Sequence, residues 1–162
     1  MSDAATVTIG ELPAQAICGV SAFRGRSAAA LSVVEAETAR HSGQFWAIAP
    51  GRFLCIAGAE TGLGAGLRAA ADGVVAITDQ SDQWTTFRVA GEAARTVLAR
   101  CVPIDLDRLE PGEFRLTRAG HLDVRLHFER DASAYTIAVG RSYAGSLLHA
   151  LRAAARQDSH DR

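Results

Sequence analysis

The chain of 162 residues contains no lysine; all seventeen basic side chains are arginine, set against eighteen acidic ones. That absence removes the lysine of a phosphate-binding loop, the lysine that holds pyridoxal phosphate as a Schiff base, and every lysine amine nucleophile. A basic excess is missing as well. With a formal net charge of −1, the chain has no surplus of positive charge to displace counterions from phosphates, which argues against a general nucleic-acid binder. No run approaches the ~20 apolar residues of a membrane span. The opening MSDAATVTIGELP has neither the basic nor the apolar segment of a secretory signal, so the cytoplasm is the expected compartment. Cysteine is scarce and odd in number: Cys18, Cys55 and Cys101 form no C-x-x-C pair, and three reduced thiols in a cytosolic protein are expected.

What the chain does have is the composition of a folded globular protein, 48% hydrophobic and 22% charged, in a length that suits one domain of ordinary size. The run SAAALSVVEAETAR predicts a helix over 27–40, with Ser27 as N-cap and Gly43 just beyond its end. Gln44–Ala49 and Arg52–Ala57 read as strands around the turn dipeptide Pro50-Gly51. A glycine-rich loop leads to a helix over Leu67–Ala71, and strands follow at Val74–Thr78 and Trp84–Ala90. Gly91 opens a helix in which Ala94, Val97, Leu98 and Cys101 fall at i, i+3, i+4 and i+7. Phe114–Arg118, Leu122–Glu129 and Tyr135–Val139 predict an antiparallel meander, its middle strand apolar on one face and charged on the other. A last helix from Tyr143 to about Arg156 carries Tyr143, Leu147, Leu148 and Leu151 on one stripe. The fold class is therefore α+β, a largely antiparallel sheet with helices packed on one face. The expected organisation is an N-terminal segment (1–44) with one helix, a single domain (45–156) and a polar tail (157–162).

Four patterns invite a chemical reading. Gly62, Gly64 and Gly66 imitate a dinucleotide-binding turn, but G-x-G-x-G lacks the third spacing that the helix–strand packing of that turn requires. Gly140-Arg-Ser142-Tyr-Ala144 imitates a nucleophile elbow, yet Ala144 stands where glycine is needed, and Ser142 is expected to cap the last helix instead. His121, Asp123 and His127 share one strand face, but at ~3.3 Å per residue Asp123 and His127 lie about 13 Å apart, too far for one metal. Asp105, Asp107 and Glu110 offer carboxylates in a Pro-flanked loop with no histidine nearby in sequence. None makes a catalytic constellation, so the expected catalytic, cofactor-binding and metal residues of this chain are none.

From Val74 onward a set of short motifs occurs in an informative order. Asp79-x-Ser81 follows a strand; Val89-Ala90-Gly91 leads to Ala93 and Ala94 on a helix; then come Cys101-x-Pro103-x-Asp105-Leu106, Thr117 in a strand, and Arg141-Ser142-Tyr143-Ala144 before the last helix. Upstream, Trp46-Ala-Ile-Ala-Pro50-Gly-Arg-Phe53-Leu54 is similar to a weakened Gly-Pro-x-x-Trp-Leu segment, with Ala49 for the glycine and Phe53 for the tryptophan. Over roughly residues 45–152 the chain resembles the gamma subunit of heterotetrameric sarcosine oxidase, a relative of the folate-binding aminomethyltransferase of the glycine cleavage system. The resemblance implies an aminomethyltransferase-like α+β fold and a non-catalytic subunit packed against a large alpha subunit. FAD, FMN, NAD and zinc would sit on other subunits. The complex would demethylate sarcosine oxidatively and pass the one-carbon unit to tetrahydrofolate; a methylglutamate dehydrogenase is the related alternative, and a stand-alone folate-binding module the next. Phe45, Trp46, Arg141 and Tyr143 are then the expected anchors at the partner interface, with core packing the alternative for the aromatics.

Overall fold

The computed structural model describes residues 6–129 and 134–160. Its elements run β1 (Thr8–Glu11), β2 (Gln15–Ala22), α1 (Ser27–Arg40), β3 (Gln44–Ala49), β4 (Arg52–Gly58), α2 (Leu63–Ala70), β5 (Val75–Asp79), β6 (Trp84–Ala90), α3 (Ala94–Ala99), β7 (Phe114–Ala119), β8 (Leu122–Phe128), β9 (Ala134–Gly140) and α4 (Ala144–His160). The α+β class holds, with one difference: the strands form two antiparallel sheets, of four and five strands. The chain divides into two compact units, Pro13–Gln83 and the stretch from Trp84 onward joined by the N-terminal strand. The expected boundary at 44/45 and the single domain over 45–156 do not survive. Strand β2, from the supposedly separate first segment, hydrogen-bonds to both β4 and β5, and β1 pairs with β6.

In the Pro13–Gln83 unit the order β2-α1-β3-β4-α2-β5 folds into a sheet β3-β4-β2-β5, the split βαβ arrangement. Two strands of the same direction are thus separated by an antiparallel one, with helices crossing over a single face. The periodicity explains the layering. Cys18, Val20, Phe53, Cys55 and Ala57 face Ala30 and Val34 of α1 and Leu63 and Leu67 of α2, and all nine are buried. Central strand β4 is buried on both faces, which is why RFLCIAG reads as an apolar run rather than an alternation.

The expected N-cap of α1 changes. Arg26, not Ser27, precedes the helix, and no side chain caps it. At the other end the Ser42 N–H donates to the Ala39 carbonyl and the Gly43 N–H to the Thr38 carbonyl, a Schellman ending. Ser42 takes the positive φ of 51° that glycine would usually supply. Gly43 is needed for space, because a Cβ there would stand 2.5 Å from the Ile56 carbonyl oxygen of β4.

The second unit carries a five-stranded sheet, β1-β6-β9-β8-β7. Its last three strands are the expected meander, in register Phe114↔His127 and Phe128↔Tyr135. Phe87 and Val89, Val124 and Leu126, Tyr135, Ile137 and Val139 form one apolar face, covered by Ala94 and Leu98 of α3 and Leu147 and Leu151 of α4. The helix after Gly91 is shorter than its pattern, starting at Ala94 and ending before Cys101. Gly91 itself holds φ at +110°, and a Cβ there would run into the Thr6 carbonyl. Helix α4 keeps Leu147 and Leu151 at 0% exposure, whereas Tyr143 lies before the helix and is 54% exposed, so it leaves the expected stripe. The helix also runs through most of the expected polar tail, because buried Asp158 meets Arg100 at 3.7 Å; residues 161–162 lie outside the described residues. No described helix is long and apolar enough to cross a membrane.

Candidate functional site

The glycine-rich segment is built for packing. Gly62 turns the chain with φ at +74°, and α2 begins at Leu63, so Gly64 and Gly66 are helical residues rather than loop. Gly66 lies where α2 meets α1: a Cβ there would stand 2.5 Å from Nε2 of His41 and 2.8 Å from Oε2 of Glu37. Glu37 is buried and holds Arg40 at 2.9 Å and His41 at 3.6 Å. The spacing that failed the dinucleotide pattern is thus set by helix–helix contact.

Asp79 and Ser81 close a sheet. The Ser81 N–H and hydroxyl both donate to Oδ1 of Asp79, at 2.9 and 2.6 Å, and the Ser81 oxygen accepts from the Ile17 N–H at 3.0 Å. Those two bonds from Ser81 hold the Asp79 carboxyl below its ordinary value. The motif therefore ties the end of β5 to the start of β2. The second acidic group is also structural: Asp105 accepts from the Asp107 N–H at 3.1 Å, and Asp107 pairs with Arg95 at 2.6 Å. Arg95 also donates to the Tyr135 hydroxyl at 3.1 Å, and Tyr135 stacks on Phe128 with centroids 4.7 Å apart.

The histidine–aspartate face is dispersed. Asp123 meets Arg118 at 3.4 Å, His121 is exposed in the hairpin turn, and His127 is buried opposite Thr136. No three His, Cys, Asp or Glu side chains converge among the described residues. The charged face of β8 is solvated only at its His121–Asp123 end; toward His127 it is buried, together with Thr136, Thr86 and Ala138 of the neighbouring strands. Its polar groups pair across strands: Glu129 accepts a forked contact from Arg88, 2.8–3.0 Å, and a further bond from the Thr136 hydroxyl at 2.9 Å. Ser142, expected as a cap, sits exposed in a 3-10 turn over Arg141–Tyr143 that runs straight into α4, and no side chain caps that turn.

The four expected anchors separate into two pairs. Trp46 is buried at 4% exposure, and Phe45 packs edge-on to Phe53, centroids 6.1 Å apart, against the core of its unit. Both are packing residues: alternation along β3 turns Phe45 to the helix-covered face beside Cys55 and Trp46 to the opposite face beside Leu54. Arg141 and Tyr143 are exposed. The Tyr143 ring lies against Gly140, where a Cβ would come 3.5 Å from its Cδ2, and Gly140 is the register partner of Trp84.

Trp84 belongs to a feature that the sequence pattern did not reveal. On the sheet face opposite the α3–α4 core, the Arg125 guanidinium carbon stands 3.4 Å from the centre of the Trp84 ring. A desolvated cation on an indole is worth about 2 kcal/mol. Nε and Nη1 of Arg125 are shielded from solvent and find no acceptor among the described residues. Burial without a counter-charge pulls the guanidinium down to about 10. An orphaned buried donor costs about 1–3 kcal/mol, more when charged. Beside it opens a cavity of about 380 Å³, lined by Trp84, Leu116, Thr117, Arg118, Asp123, Val124 and Arg125. Only the alternation of β8 pointed here, and it marks Arg125 merely as a residue of the polar face.

No family model and none of the curated proteins matches the sequence. Solved structures do. One chain of the heterotetrameric sarcosine oxidase from Corynebacterium sp. U-96, in complex with pyrrole 2-carboxylate, superposes with a TM-score of 0.79 at 20% identity, covering 98% of this chain and 88% of its own. Glycine cleavage system aminomethyltransferase T from Bartonella henselae gives 0.69 at 16%, covering 90% of this chain but 45% of its own length. The regulatory subunit of aspartate kinase from Thermus thermophilus gives 0.54 at 11%, covering 94% and 98%. At these identities the likeness is one of fold. The resemblance drawn from the motifs thus has structural counterparts in both of the proteins it pointed to.

Proposed function

We propose that this chain is a non-catalytic, gamma-like subunit of a sarcosine-oxidase-type flavoenzyme complex, located in the cytoplasm. The observation that carries the reading is the match of lengths. The chain and a chain of a heterotetrameric oxidase cover each other almost end to end, whereas less than half of aminomethyltransferase T is covered. The complex would oxidise the N-methyl group of sarcosine, or of a related N-methyl amino acid such as methylglutamate, and pass the one-carbon unit to tetrahydrofolate. FAD, FMN, NAD and zinc would be held by other subunits, and a large alpha-type subunit would be the immediate partner. Of the expected anchors, exposed Tyr143 and Arg141 remain suited to that contact, an aromatic and a guanidinium being the residue types that dominate interface energetics.

Coexpression with candidate large subunits, followed by size-exclusion chromatography, tests the reading. Copurification is expected, and Tyr143→Ser should weaken it by about 2 kcal/mol if Tyr143 is a central anchor. A chain that carries flavin absorbance alone, or turns over sarcosine alone, would overturn the assignment. Saturable micromolar binding of tetrahydrofolate to the isolated chain, measured by calorimetry, would favour a folate-binding module instead.

A further inference from the structure

In the Pro13–Gln83 unit, β2 is joined to α1 by a tight turn over residues 23–26. The Arg26 N–H donates to the Phe23 carbonyl at 2.9 Å, and Gly25 supplies the positive φ of 76° that such a turn needs. Two more bonds pin its approach: the Ala22 N–H donates to the Gly51 carbonyl at 2.7 Å and the Phe23 N–H to the Val74 carbonyl at 2.9 Å. On this fixed backbone Phe23 is 47% exposed, one of four large apolar side chains exposed among the described residues. Arg24 and Arg26 follow it, and Arg52, the register partner of Ser21, stands at the same end of the sheet; all three are exposed. None of the three holds a carboxylate among the described residues, whereas Arg88, Arg95, Arg115 and Arg118 each hold one. Asp72, exposed two residues before Val74, forms no ion pair with them. The first turn of α1 carries no acid either, so the positive charge at this end is not neutralised from within the helix.

We infer that this end of the unit docks onto an acidic surface of the large subunit, with Phe23 entering an apolar pocket rimmed by carboxylates. The inference rests on the assembly proposed above for the partner's identity; the charge pattern supplies the partner's chemistry. An aromatic beside guanidinium groups is the composition of interface centres. A second copy of the chain, docked about a two-fold axis, would set these arginines against themselves. A nucleic-acid strand is a poor match too, because three cations on a chain of net charge −1 release few counterions. The pinned turn also lowers the cost of binding, since its backbone has little freedom left to lose. Phe23 anchors the contact, and the arginines orient and speed the encounter.

The test coexpresses the large subunit with two differently tagged copies of the full-length chain, one wild type and one variant. Their ratio in the purified complex reads relative affinity. Phe23→Ser should be depleted about 30-fold, the worth of a central anchor. Arg24→Glu with Arg26→Glu should be depleted about 10-fold or more, because it sets carboxylates against carboxylates. Arg24→Lys with Arg26→Lys keeps the charge and should enter close to the wild-type level. All the substituted positions are exposed, and an unchanged urea midpoint shows that each variant is folded. Wild-type incorporation of folded Phe23→Ser or of the glutamate pair would overturn the inference and leave the assembly standing. Equal depletion of the lysine and glutamate pairs would overturn the charge argument. A self-dimer of the isolated chain that Phe23→Ser dissolves would assign the surface to a second copy and overturn the inference. A large subunit that captures no wild-type chain would overturn the inference and the assembly together.

Discussion

Replacing Gly66 by alanine sets two effects of known size against each other. In an exposed helix interior, Gly→Ala gains about 0.8–1.0 kcal/mol because alanine loses less backbone entropy on folding. At Gly66 the added methyl would lie 2.5 Å from Nε2 of His41 and 2.8 Å from Oε2 of Glu37. To make room, His41 must rotate away from Glu37, and the buried Glu37 carboxylate must shift its contact with Arg40. Overpacking of this kind costs about 1–3 kcal/mol. The net expectation for Gly66→Ala is a destabilisation of up to about 2 kcal/mol. Two controls separate the terms. Gly64 lies in the same helix, but its added Cβ would meet nothing nearer than 3.4 Å, so Gly64→Ala should be neutral or stabilising by up to about 1 kcal/mol. In a His41→Ala background the nearest obstacle is gone, and Gly66→Ala should cost at least about 1 kcal/mol less than in the wild type. Urea unfolding followed by circular dichroism measures all four variants. Gly66→Ala as stable as Gly64→Ala, or a cost unchanged by His41→Ala, would refute the packing account of this glycine.

Three further outcomes follow from the geometry. Burial raises the thiols of Cys18, Cys55 and Cys101, with Cys55 reaching about 12, so native protein at pH 8 should react slowly with a disulfide reagent while all three thiols react in guanidinium. Because the folded thiols titrate above the unfolded value of about 8.5, their contribution to stability is intact below that pH and falls as pH rises through it. For Glu129, burial pushes the carboxyl up, but hydrogen bonds from Arg88 and Thr136 outweigh it and the net shift is downward. Its stabilisation should be present above the unfolded value of about 4.3 and lost as pH falls through the folded one; Glu129→Gln should flatten that acid limb of a stability–pH curve. Gly91→Ala forces a side chain onto a φ of +110° and into the Thr6 carbonyl, so a loss of roughly 2–5 kcal/mol and a lowered melting temperature are expected. A wild-type melting temperature would refute that last argument.

Element by element, local chemistry was enough wherever one face of one segment decides. Helix 27–40, strand β6 at Trp84–Ala90 and the β7–β8–β9 meander were legible, because period and turn residues act within a few positions. The ends of elements were less so. Ser27 and Ser142 have the chemistry of caps, but the backbone continues past them and neither is used as one. The anchors divide for the same reason. Aromatic character is visible in Phe45, Trp46 and Tyr143 alike, and only the packing of β3 and the 3-10 turn before α4 decides which are buried.

The absence of lysine and of any basic excess removed whole classes of chemistry without reference to a fold, because a missing side chain cannot be restored by folding. The α+β class and the motif order that led to the oxidase resemblance were likewise matters of sequence alone. Three things belonged to the tertiary structure. Long-range pairing, β2 with β4 and β5, and β1 with β6, divided the chain into a continuous unit and a second one assembled from two separate stretches of sequence. The approach of α2 to α1 gave Gly66 its purpose. And the pleat of β8, set across β9 from β6, put Arg125 on Trp84 with two donors unmatched, a juxtaposition of residues 41 positions apart that hydrogen-bond register creates and composition cannot announce.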